Sequence, residues 1–312
     1  MRKVGIDLGT TNLLICVDNE GIVIDEPSIL TIDAQTKKCI AAGKEAKEML
    51  GRTPRSMICI SPLKDGVIAD FEATEMLLNY FFKECNLRGM FRKNMILICH
   101  PTNITTVEKN AIRDCAYRAG AKKVYLEEEP KVAAVGAGLD IGGGTSDIAV
   151  LALGDIVCST SLKVAGNRFT QLIIDYLRKE RKLAIGEQMA EEVKIRIGSA
   201  LPMDEPLTME VSGLAMESGL PSSIEVNSNE IELALRASVD EIVRAVRTVM
   251  EITPPELAAD IVQRGLMMTG GGALLKNFDA RLRNELQVPV HVAENALHCV
   301  VDGCSIMLQQ LR

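Results

Sequence analysis

The chain opens with short apolar runs that are separated by polar turns. Apolar side chains at every second position of residues 4–8 indicate a buried strand, and a second apolar run follows at residues 13–17. The connection between them, residues 9–12, is short enough for a hairpin turn. Further extended pieces follow within residues 22–32. The pattern therefore predicts a first domain that begins as an antiparallel meander.

Longer segments have apolar residues three and four positions apart, which is the spacing of a helix that buries one face. The predicted helices lie at residues 43–50, around 76–81, and at 105–119, 131–136, 167–179, 186–197, 230–250 and from about 300 to the end. Buried strands at residues 94–99, 124–126 and 266–268 lie between them. This mixture predicts an α/β fold.

The first turn contains groups that suit a phosphate. Gly9 has no Cβ and lets the backbone approach a ligand closely. The turn N–H groups, with Thr10, Thr11 and Asn12, can converge on phosphate oxygens. Asp7 ends the strand before the turn, where a carboxylate suits a Mg²⁺ ion that keeps most of its waters. An ordinary polar turn is the alternative interpretation.

The same order of residues recurs later in the chain. Asp140 is followed by a glycine turn, hydroxyl residues and an apolar run at 148–150. The residues of this second turn are Gly142, Gly143, Gly144, Thr145, Ser146 and Asp147. Because the element occurs twice, we expect two related domains that face each other and hold a polyphosphate from both sides.

A third glycine segment follows the predicted strand at 266–268. Thr269, Gly270, Gly271 and Gly272 are expected to open a helix whose free N–H groups suit the phosphate or sugar edge of a nucleotide. Three consecutive glycines are costly to order, which favours a close ligand approach. A plain tight turn is the alternative.

Two charged groups have both a functional and an ordinary interpretation. One of the acidic residues in Glu127-Glu128-Glu129 could orient a water for attack on a phosphate, although at least two of the three are expected to form a solvated acidic turn. Glu191 and Lys194 lie three positions apart on one face of a predicted helix. An exposed helical ion pair is the ordinary interpretation of these two residues.

Met90 and Phe91 form an apolar pair between Arg88 and the Arg92-Lys93 dipeptide. The pair either packs into the core or forms a tip that enters a membrane surface while the cations meet anionic lipid. Burial of two such side chains gives roughly 3–5 kcal/mol before ordering costs. That is enough for membrane attachment only if many copies are linked.

Composition removes several classes of function. The 312 residues favour two domains, and the net charge of −7, without a long basic run, makes nucleic acid an improbable partner. No apolar run is long enough for a membrane span, and Arg2-Lys3 leads directly into a strand, so we expect no signal peptide. The nine cysteines lack a Cys-x-x-Cys pair and are expected to be buried thiols in a reducing cytosol. No Walker-type glycine–lysine loop occurs.

With both turns and the third glycine segment, the chain resembles the actin, Hsp70 and sugar-kinase superfamily, and within it the MreB family of bacterial actins. The motifs that support this closer resemblance are Glu26-Pro27-Ser28, the run at 62–70, Glu128-Glu129-Pro130, the run at 140–145 and Thr253-Pro254-Pro255-Glu256-Leu257. They cover essentially the whole chain.

The resemblance implies an actin-like ATPase fold, in which two ribonuclease H-like domains flank a nucleotide cleft and each has a small peripheral subdomain. The implied divisions are 1–32, 65–139 and 299–312 for subdomain IA, 33–64 for IB, 140–166 and 233–298 for IIA, and 167–232 for IIB. It also implies an ATPase that binds ATP or ADP with Mg²⁺ and polymerises into paired protofilaments. These would lie on the inner, cytoplasmic face of the cell membrane, with other morphogenetic proteins as further partners.

The resemblance also assigns roles to individual residues. Thr10, Thr11 and Asn12 would hold phosphates from one domain, and Gly143, Gly144 and Thr145 from the other. Glu191 and Lys194 would reach the ribose and adenine, Thr269 to Gly272 would line the nucleoside, and Asp7 and Asp140 would serve Mg²⁺ through waters. Glu129 would position the attacking water, Thr145 would assist, and the loop of Met90 and Phe91 would enter the membrane.

One departure affects the second turn. The family pattern has a loop and an apolar strand, about ten residues, between Leu139 and Asp140, which adjoin here. We expect residues to be missing from the sequence at this junction; if the bond is real, the hairpin lacks its first arm and the second phosphate site is in doubt. Asp147 also replaces a frequent glutamate.

Two other functions belong to the same superfamily. A small-molecule kinase of the sugar type needs a substrate pocket with a catalytic base, and the insertions here look too small for one. A chaperone motor needs a peptide-binding domain after the ATPase, whereas this sequence ends at Arg312. We therefore expect a filament-forming ATPase that controls cell shape or movement.

Overall fold

The computed structural model describes residues 2–87, 94–133 and 137–310. Its strands in chain order are β1 Arg2–Leu8, β2 Asn12–Val17, β3 Gly21–Pro27, β4 Leu30–Asp33, β5 Cys39–Ala42, β6 Met57–Ile60, β7 Leu63–Lys64, β8 Val67–Ile68, β9 Asn94–His100, β10 Lys123–Glu128, β11 Ala137–Ile141, β12 Ser146–Ala152, β13 Asp155–Leu162, β14 Leu183–Ala184, β15 Thr208–Ala215, β16 Pro221–Asn227, β17 Leu266–Thr269 and β18 Val290–Val292. The helices are α1 Lys44–Met49, α2 Phe71–Glu84, α3 Thr106–Arg118, α4 Glu129–Ala133, α5 Gly166–Glu180, α6 Glu187–Ile197, α7 Ser228–Glu251, α8 Pro255–Arg264, α9 Phe278–Leu286 and α10 Cys299–Gln310.

Two five-stranded sheets have the same topology. In the first, the strand order is β3-β2-β1-β9-β10, and in the second it is β13-β12-β11-β17-β18. In each sheet the first three strands in sequence form an antiparallel meander. The fourth strand pairs parallel with the first, and the fifth pairs parallel with the fourth. The repeat seen in the sequence is therefore a repeat of the whole sheet, which confirms two related α/β domains.

The two hairpins also match in register. Asp7 pairs with Leu14 across the β1–β2 hairpin, and Asp140 pairs with Asp147 across the β11–β12 hairpin. Each aspartate is thus the second-last residue of its strand.

The expectation that the second hairpin lacks its first arm if Leu139 and Asp140 are bonded is wrong. Ala137–Ile141 is one continuous strand, paired with β12 on one side and β17 on the other. Leu139 is fully buried in this strand. The implied domain boundary between residues 139 and 140 therefore cuts through β11, and the one between 32 and 33 cuts through β4.

Each large sheet has its own apolar core. Phe81 and Phe82 of α2 pack on the first sheet, and Phe169 of α5 and Phe278 of α9 pack in the second core. A smaller third core lies between α10 and the face of the first sheet that includes Leu14 and Leu97. A Cβ added at Gly5 of β1 would lie 2.7 Å from the Cβ of Cys304, so a glycine is required for α10 to pack this closely.

Capping residues set several helix ends within a residue or two of the predicted ones. Thr105 caps α3 in a capping box with Glu108, and Asn227 does the same for α7 with Glu230. The long helix that was predicted to begin at residue 230 begins at Ser228, because its N-cap is Asn227. Two small three-stranded antiparallel sheets are formed by β5-β4-β6 and β14-β15-β16.

Candidate functional site

A cleft of about 440 Å³ lies where the turns of the two hairpins meet. Its lining includes most of the residues singled out in the sequence. They are Asp7, Gly9, Thr10, Thr11, Asn12, Glu129, Asp140, Gly142, Gly143, Gly144, Thr145, Glu191, Lys194, Gly270, Gly271 and Gly272. The fold thus brings together residues that lie up to about 265 positions apart in the chain.

The two turns touch each other at the floor of this cleft. A Cβ added at Gly143 would lie 1.8 Å from Thr11 Oγ1, and one added at Gly144 would lie 2.4 Å from Thr10 Oγ1. Thr11 Oγ1 donates to Asn167 Oδ1 at 3.0 Å. The glycines of one hairpin are therefore needed because the threonines of the other occupy their side-chain space.

The first turn is held in shape by the chain around it. Ser28 Oγ donates to the Gly9 carbonyl at 2.6 Å, and the Gly66 N–H donates to Thr10 Oγ1 at 2.9 Å. Because the Thr10 hydroxyl accepts from Gly66, its own proton is available for an acceptor such as a phosphate oxygen.

Three carboxylates line the floor. Asp140 and Glu129 are buried, and Asp7 is partly buried. Burial, with the charge of Asp140, raises the pKa of Asp7 to about 7, and burial raises the pKa of Asp140 to about 6. The three carboxylates thus place acidic groups close together at the floor of the cleft.

This charge distribution fits a divalent cation. Among the described residues, no three or more histidine, cysteine or acidic side chains converge as a metal cage. An ion between Asp7 and Asp140 would therefore complete its shell with water and ligand oxygens, as Mg²⁺ commonly does at phosphates. Thr269 Oγ1 donates to Asp140 Oδ1 at 2.7 Å and orients that carboxylate.

Glu129 differs from the two glutamates before it. Glu127 and Glu128 lie in β10 with partly exposed side chains that face Lys131 and Lys109 at 3.8 and 4.0 Å. Glu129 begins α4, is buried and lines the cleft. Burial, and next the charges of Asp147 and Asp7, raise the pKa of Glu129 well above its usual range. The expected acidic turn thus accounts for two of the three glutamates.

Glu191 and Lys194 are not the freely exposed ion pair of the ordinary interpretation. Lys194 Nζ lies 2.7 Å from Glu191 Oε2, with 15% and 30% of the two side chains exposed. Both residues belong to α6 and line the cleft.

The third glycine segment differs from its prediction. Gly271–Leu274 is a single 3₁₀ turn, too short for the helix that was expected. Gly270 adopts a φ of 78°, and a Cβ there would lie 2.3 Å from the Ile141 carbonyl. Gly270, Gly271 and Gly272 line the cleft, whereas Thr269 is buried behind it against Asp140. Gly270 and Gly272 are therefore explained by close packing against Ile141 of β11.

Asn167 and Gly66 also belong to the site, although neither was predicted from the sequence to do so. Asn167 lines the cleft, and its N–H donates to the Gly143 carbonyl at 2.8 Å. The pair Gly166-Asn167, which opens the predicted helix at 167, was the signal for it. Asp147 is almost fully buried within an apolar strand. A carboxylate in such a strand is visible in the sequence and indicates a polar partner in the fold.

The membrane expectation concerns residues outside the described part of the chain, since Met90 and Phe91 fall between residues 87 and 94. Within the described ranges, no helix has the length and apolar character needed to cross a bilayer.

Comparison with known proteins decides the family. The family model described as MreB/Mbl protein matches residues 1–312. The chain belongs to the MreB/Mbl family. It is 51% identical over 321 aligned positions to the cell shape-determining protein Mbl of Bacillus subtilis, covering 99% of this chain and 96% of the relative. Because the chain has 312 residues, this alignment is longer than the chain, and the relative contains residues that the chain lacks.

Solved structures agree with this family and with its actin-like fold. MreB5 of Spiroplasma citri, solved with ADP and with AMPPNP, is 38% identical and has a TM-score of 0.94, covering 99% of this chain and 96% of that one. MamK in a double helical filament matches with a TM-score of 0.87 at 20% identity, covering 100% of this chain and 99% of that one, which supports the fold alone. The expected actin-like architecture is confirmed, and the sugar-kinase alternative is not favoured.

Proposed function

We propose that this MreB/Mbl protein is an ATPase that binds Mg-ATP or Mg-ADP between its two hairpin turns and polymerises into membrane-associated filaments that determine cell shape. The observation that supports the proposal most strongly is the meeting of the two turns at one cleft, with Thr11 against Gly143. The nucleotide-bound Spiroplasma citri relative supports the nature of the ligand.

Both domains contribute residues that bind the phosphates. The turn N–H groups and hydroxyls at 9–12 hold phosphate oxygens from one side, and those at 142–145 hold them from the other. Asp7 and Asp140 hold the hydrated Mg²⁺. When bound, that ion neutralises charge that develops on the phosphates.

Hydrolysis needs a water aligned with the terminal phosphate. Glu129 accepts a hydrogen bond from that water and orients it, and the Thr145 hydroxyl supports it from the opposite domain. Because these two groups belong to different domains, the reaction depends on how the cleft closes. Nucleotide that closes the cleft favours assembly, and hydrolysis shifts the balance toward disassembly.

Sedimentation with and without Mg-ATP, in the presence and absence of anionic vesicles, tests this function. We expect Mg-ATP to move the protein into the pellet above a critical concentration and phosphate to be released, with further recovery on vesicles. A protein that stays in the supernatant with ATP at every concentration, and that phosphorylates a sugar, would instead be a small-molecule kinase.

A further inference from the structure

Two buried thiols meet between α10 and the first sheet. Cys99 lies on β9 and Cys304 lies on α10, and their sulfur atoms are 3.0 Å apart. Both residues are at most 1% exposed. Because a disulfide S–S bond is about 2.05 Å long, the two sulfurs need to approach by about 1 Å to form one. The residues lie 205 positions apart in the chain, so the fold alone brings their sulfurs together.

A glycine on the strand beneath α10 makes room for this contact. A Cβ added at Gly5 of β1 would lie 2.7 Å from Cys304 Cβ and 2.6 Å from Cys16 Sγ. Cys16 is a third thiol on this face of the sheet, but its Sγ donates to the Val301 carbonyl at 3.5 Å. Cys99 and Cys304, in contrast, contact each other directly. The structure therefore singles out Cys99 as the partner of Cys304.

The thiol pair lies behind the wall of the cleft. Leu14 and Val300 belong to the same apolar cluster as the two thiols, and both also line the cleft. Cys99 is the register partner of Asp7, which lies at the cleft floor. A small local opening of this wall is therefore enough to admit an oxidant as small as a peroxide.

We propose that Cys99 and Cys304 are a site of reversible oxidation, at which a peroxide forms a disulfide that ties α10 to β9. One thiolate attacks an oxygen of hydrogen peroxide and becomes a sulfenic acid, with release of one water. The sulfur of the second thiol attacks the sulfenic sulfur and displaces a second water. In all, the two thiols lose two electrons and two protons, and hydrogen peroxide is reduced to two waters.

The burial of the pair determines how fast it reacts. The hydrogen bond to Cys304, and next burial, raise the pKa of the Cys99 thiol well above its usual value. Because the thiolate is the form that attacks, oxidation within the folded protein is slow. The same burial hinders reducing thiols from reaching the disulfide once it has formed. The site therefore suits prolonged exposure to an oxidant more than a rapid signal.

The disulfide would stabilise the first domain. It would close a loop between residues 205 positions apart, and a disulfide that closes a long loop restricts the unfolded chain strongly. It would also hold α10 against α4, where the two helices already pack closely, since a Cβ at Gly303 would lie 2.1 Å from the Val132 carbonyl. We expect the melting temperature to rise by about 5 °C or more on oxidation.

The test is to treat the full folded chain with hydrogen peroxide, alkylate the remaining thiols and map the peptides by mass spectrometry. Cleavage at lysine, arginine and aspartate separates Cys304 from Cys299, because Asp302 lies between them. We expect a peptide pair that links Cys99 to Cys304, a raised melting temperature, and loss of both after dithiothreitol. Cys304→Ala should abolish the link and the rise in melting temperature.

Two variants serve as matched controls. Cys299→Ala removes a partly exposed thiol from the same helix, and Cys16→Ala removes the third thiol from the same face of the sheet. Both should keep the Cys99–Cys304 link and the rise in melting temperature. If Cys304→Ala fails to fold, Cys99→Ala gives the same comparison, and the peptide map of the wild type needs no variant.

Two results would overturn the inference. In the first, peroxide oxidises Cys299 in the folded chain while Cys99 and Cys304 remain unlinked. In the second, the link forms in urea and not in the folded protein, which would show that the native contact does not favour the bond. Neither result depends on nucleotide binding, so each leaves the proposed function standing.

Discussion

Thr102 donates two hydrogen bonds to Asp147, from its N–H at 3.0 Å and its hydroxyl at 3.1 Å, both to Oδ1. Thr102 follows β9 of the first sheet, and Asp147 lies on β12 of the second. The bonds therefore join the two domains. Glu129 and Thr145, the two groups proposed to act on the attacking water, belong to the two domains that these bonds join.

We predict that Thr102→Val reduces the rate of ATP hydrolysis about tenfold and changes ATP affinity little. The reason is that Asp147 loses a hydrogen bond to a charged group, about 1.5–3 kcal/mol, and the two domains lose one constraint on their alignment. Thr102→Ser keeps the bond and serves as the control. Equal kcat values for the valine variant and the wild type would show that the connection has no part in catalysis.

Gly143→Ala should weaken nucleotide binding by at least about tenfold. The added methyl group would overlap Thr11 Oγ1, at 1.8 Å, and Thr11 cannot retreat without moving its own turn, since its backbone nitrogen is only 3.2 Å away. Gly186→Ala is the matched control, because a Cβ there meets open space. Titration calorimetry with Mg-ATP measures both, and an unchanged affinity in Gly143→Ala would argue against phosphate binding between the turns.

Glu129→Ala should slow phosphate release by about 10²-fold or more, with ATP affinity within about threefold of the wild type. The side chain lines the cleft beside the phosphate turns, so its loss removes the water-orienting group and leaves the phosphate ligands in place. Glu129→Gln, which keeps the shape, should be similarly slow. Equal loss of binding and turnover would deny Glu129 a catalytic role.

The pKa values of Asp7 and Asp140 predict a pH dependence of stability without ligand. Both are raised from 3.8, to about 7 and about 6. The folded chain therefore keeps protons that the unfolded chain has lost, and its free energy of unfolding falls as pH rises from about 4 through 7. We expect the stability difference between Asp7→Asn and wild type to grow in favour of the variant over this range, by a few kcal/mol at most. Chemical unfolding at pH 5, 6, 7 and 8 measures it, and a pH-independent difference would contradict the assigned pKa of Asp7.

A double variant tests the proposed membrane contact. Met90→Ser with Phe91→Ser should weaken binding to anionic vesicles and leave assembly in solution unchanged, because roughly 3–5 kcal/mol of apolar burial is removed from each copy. Val107→Ser, at an exposed apolar position on α3, controls for general loss of surface hydrophobicity. Unchanged flotation of the double variant with lipid would reject this loop as the anchor.

The repeated turn made much of the site predictable. Asp7 and Asp140 occupy equivalent positions because each is the carboxylate that begins the same carboxylate–glycine–hydroxyl order, and that order reflects a duplicated sheet. The helix predicted at 105–119 likewise agrees with α3, Thr106–Arg118, to within one residue at each end.

The features that were missed depend on packing between distant segments. The role of Ala137-Gly138-Leu139 as a strand follows from pairing with β12 and β17, since the three residues alone fit the end of a helix equally well. The 3₁₀ turn at Gly271 follows from the contact of Gly270 and Gly272 with Ile141. The hydrogen bond from Lys194 Nζ to Thr170 Oγ1 joins two helices and two residues that lie 24 positions apart. Spacing within one helix could not show such contacts.

A crystal structure of the chain grown with Mg-AMPPNP tests the central claim most directly. We predict a triphosphate between residues 9–12 and residues 142–145, with a hydrated Mg²⁺ ion near Asp7 and Asp140. Nucleotide density at another place, with this cleft empty, would contradict the account.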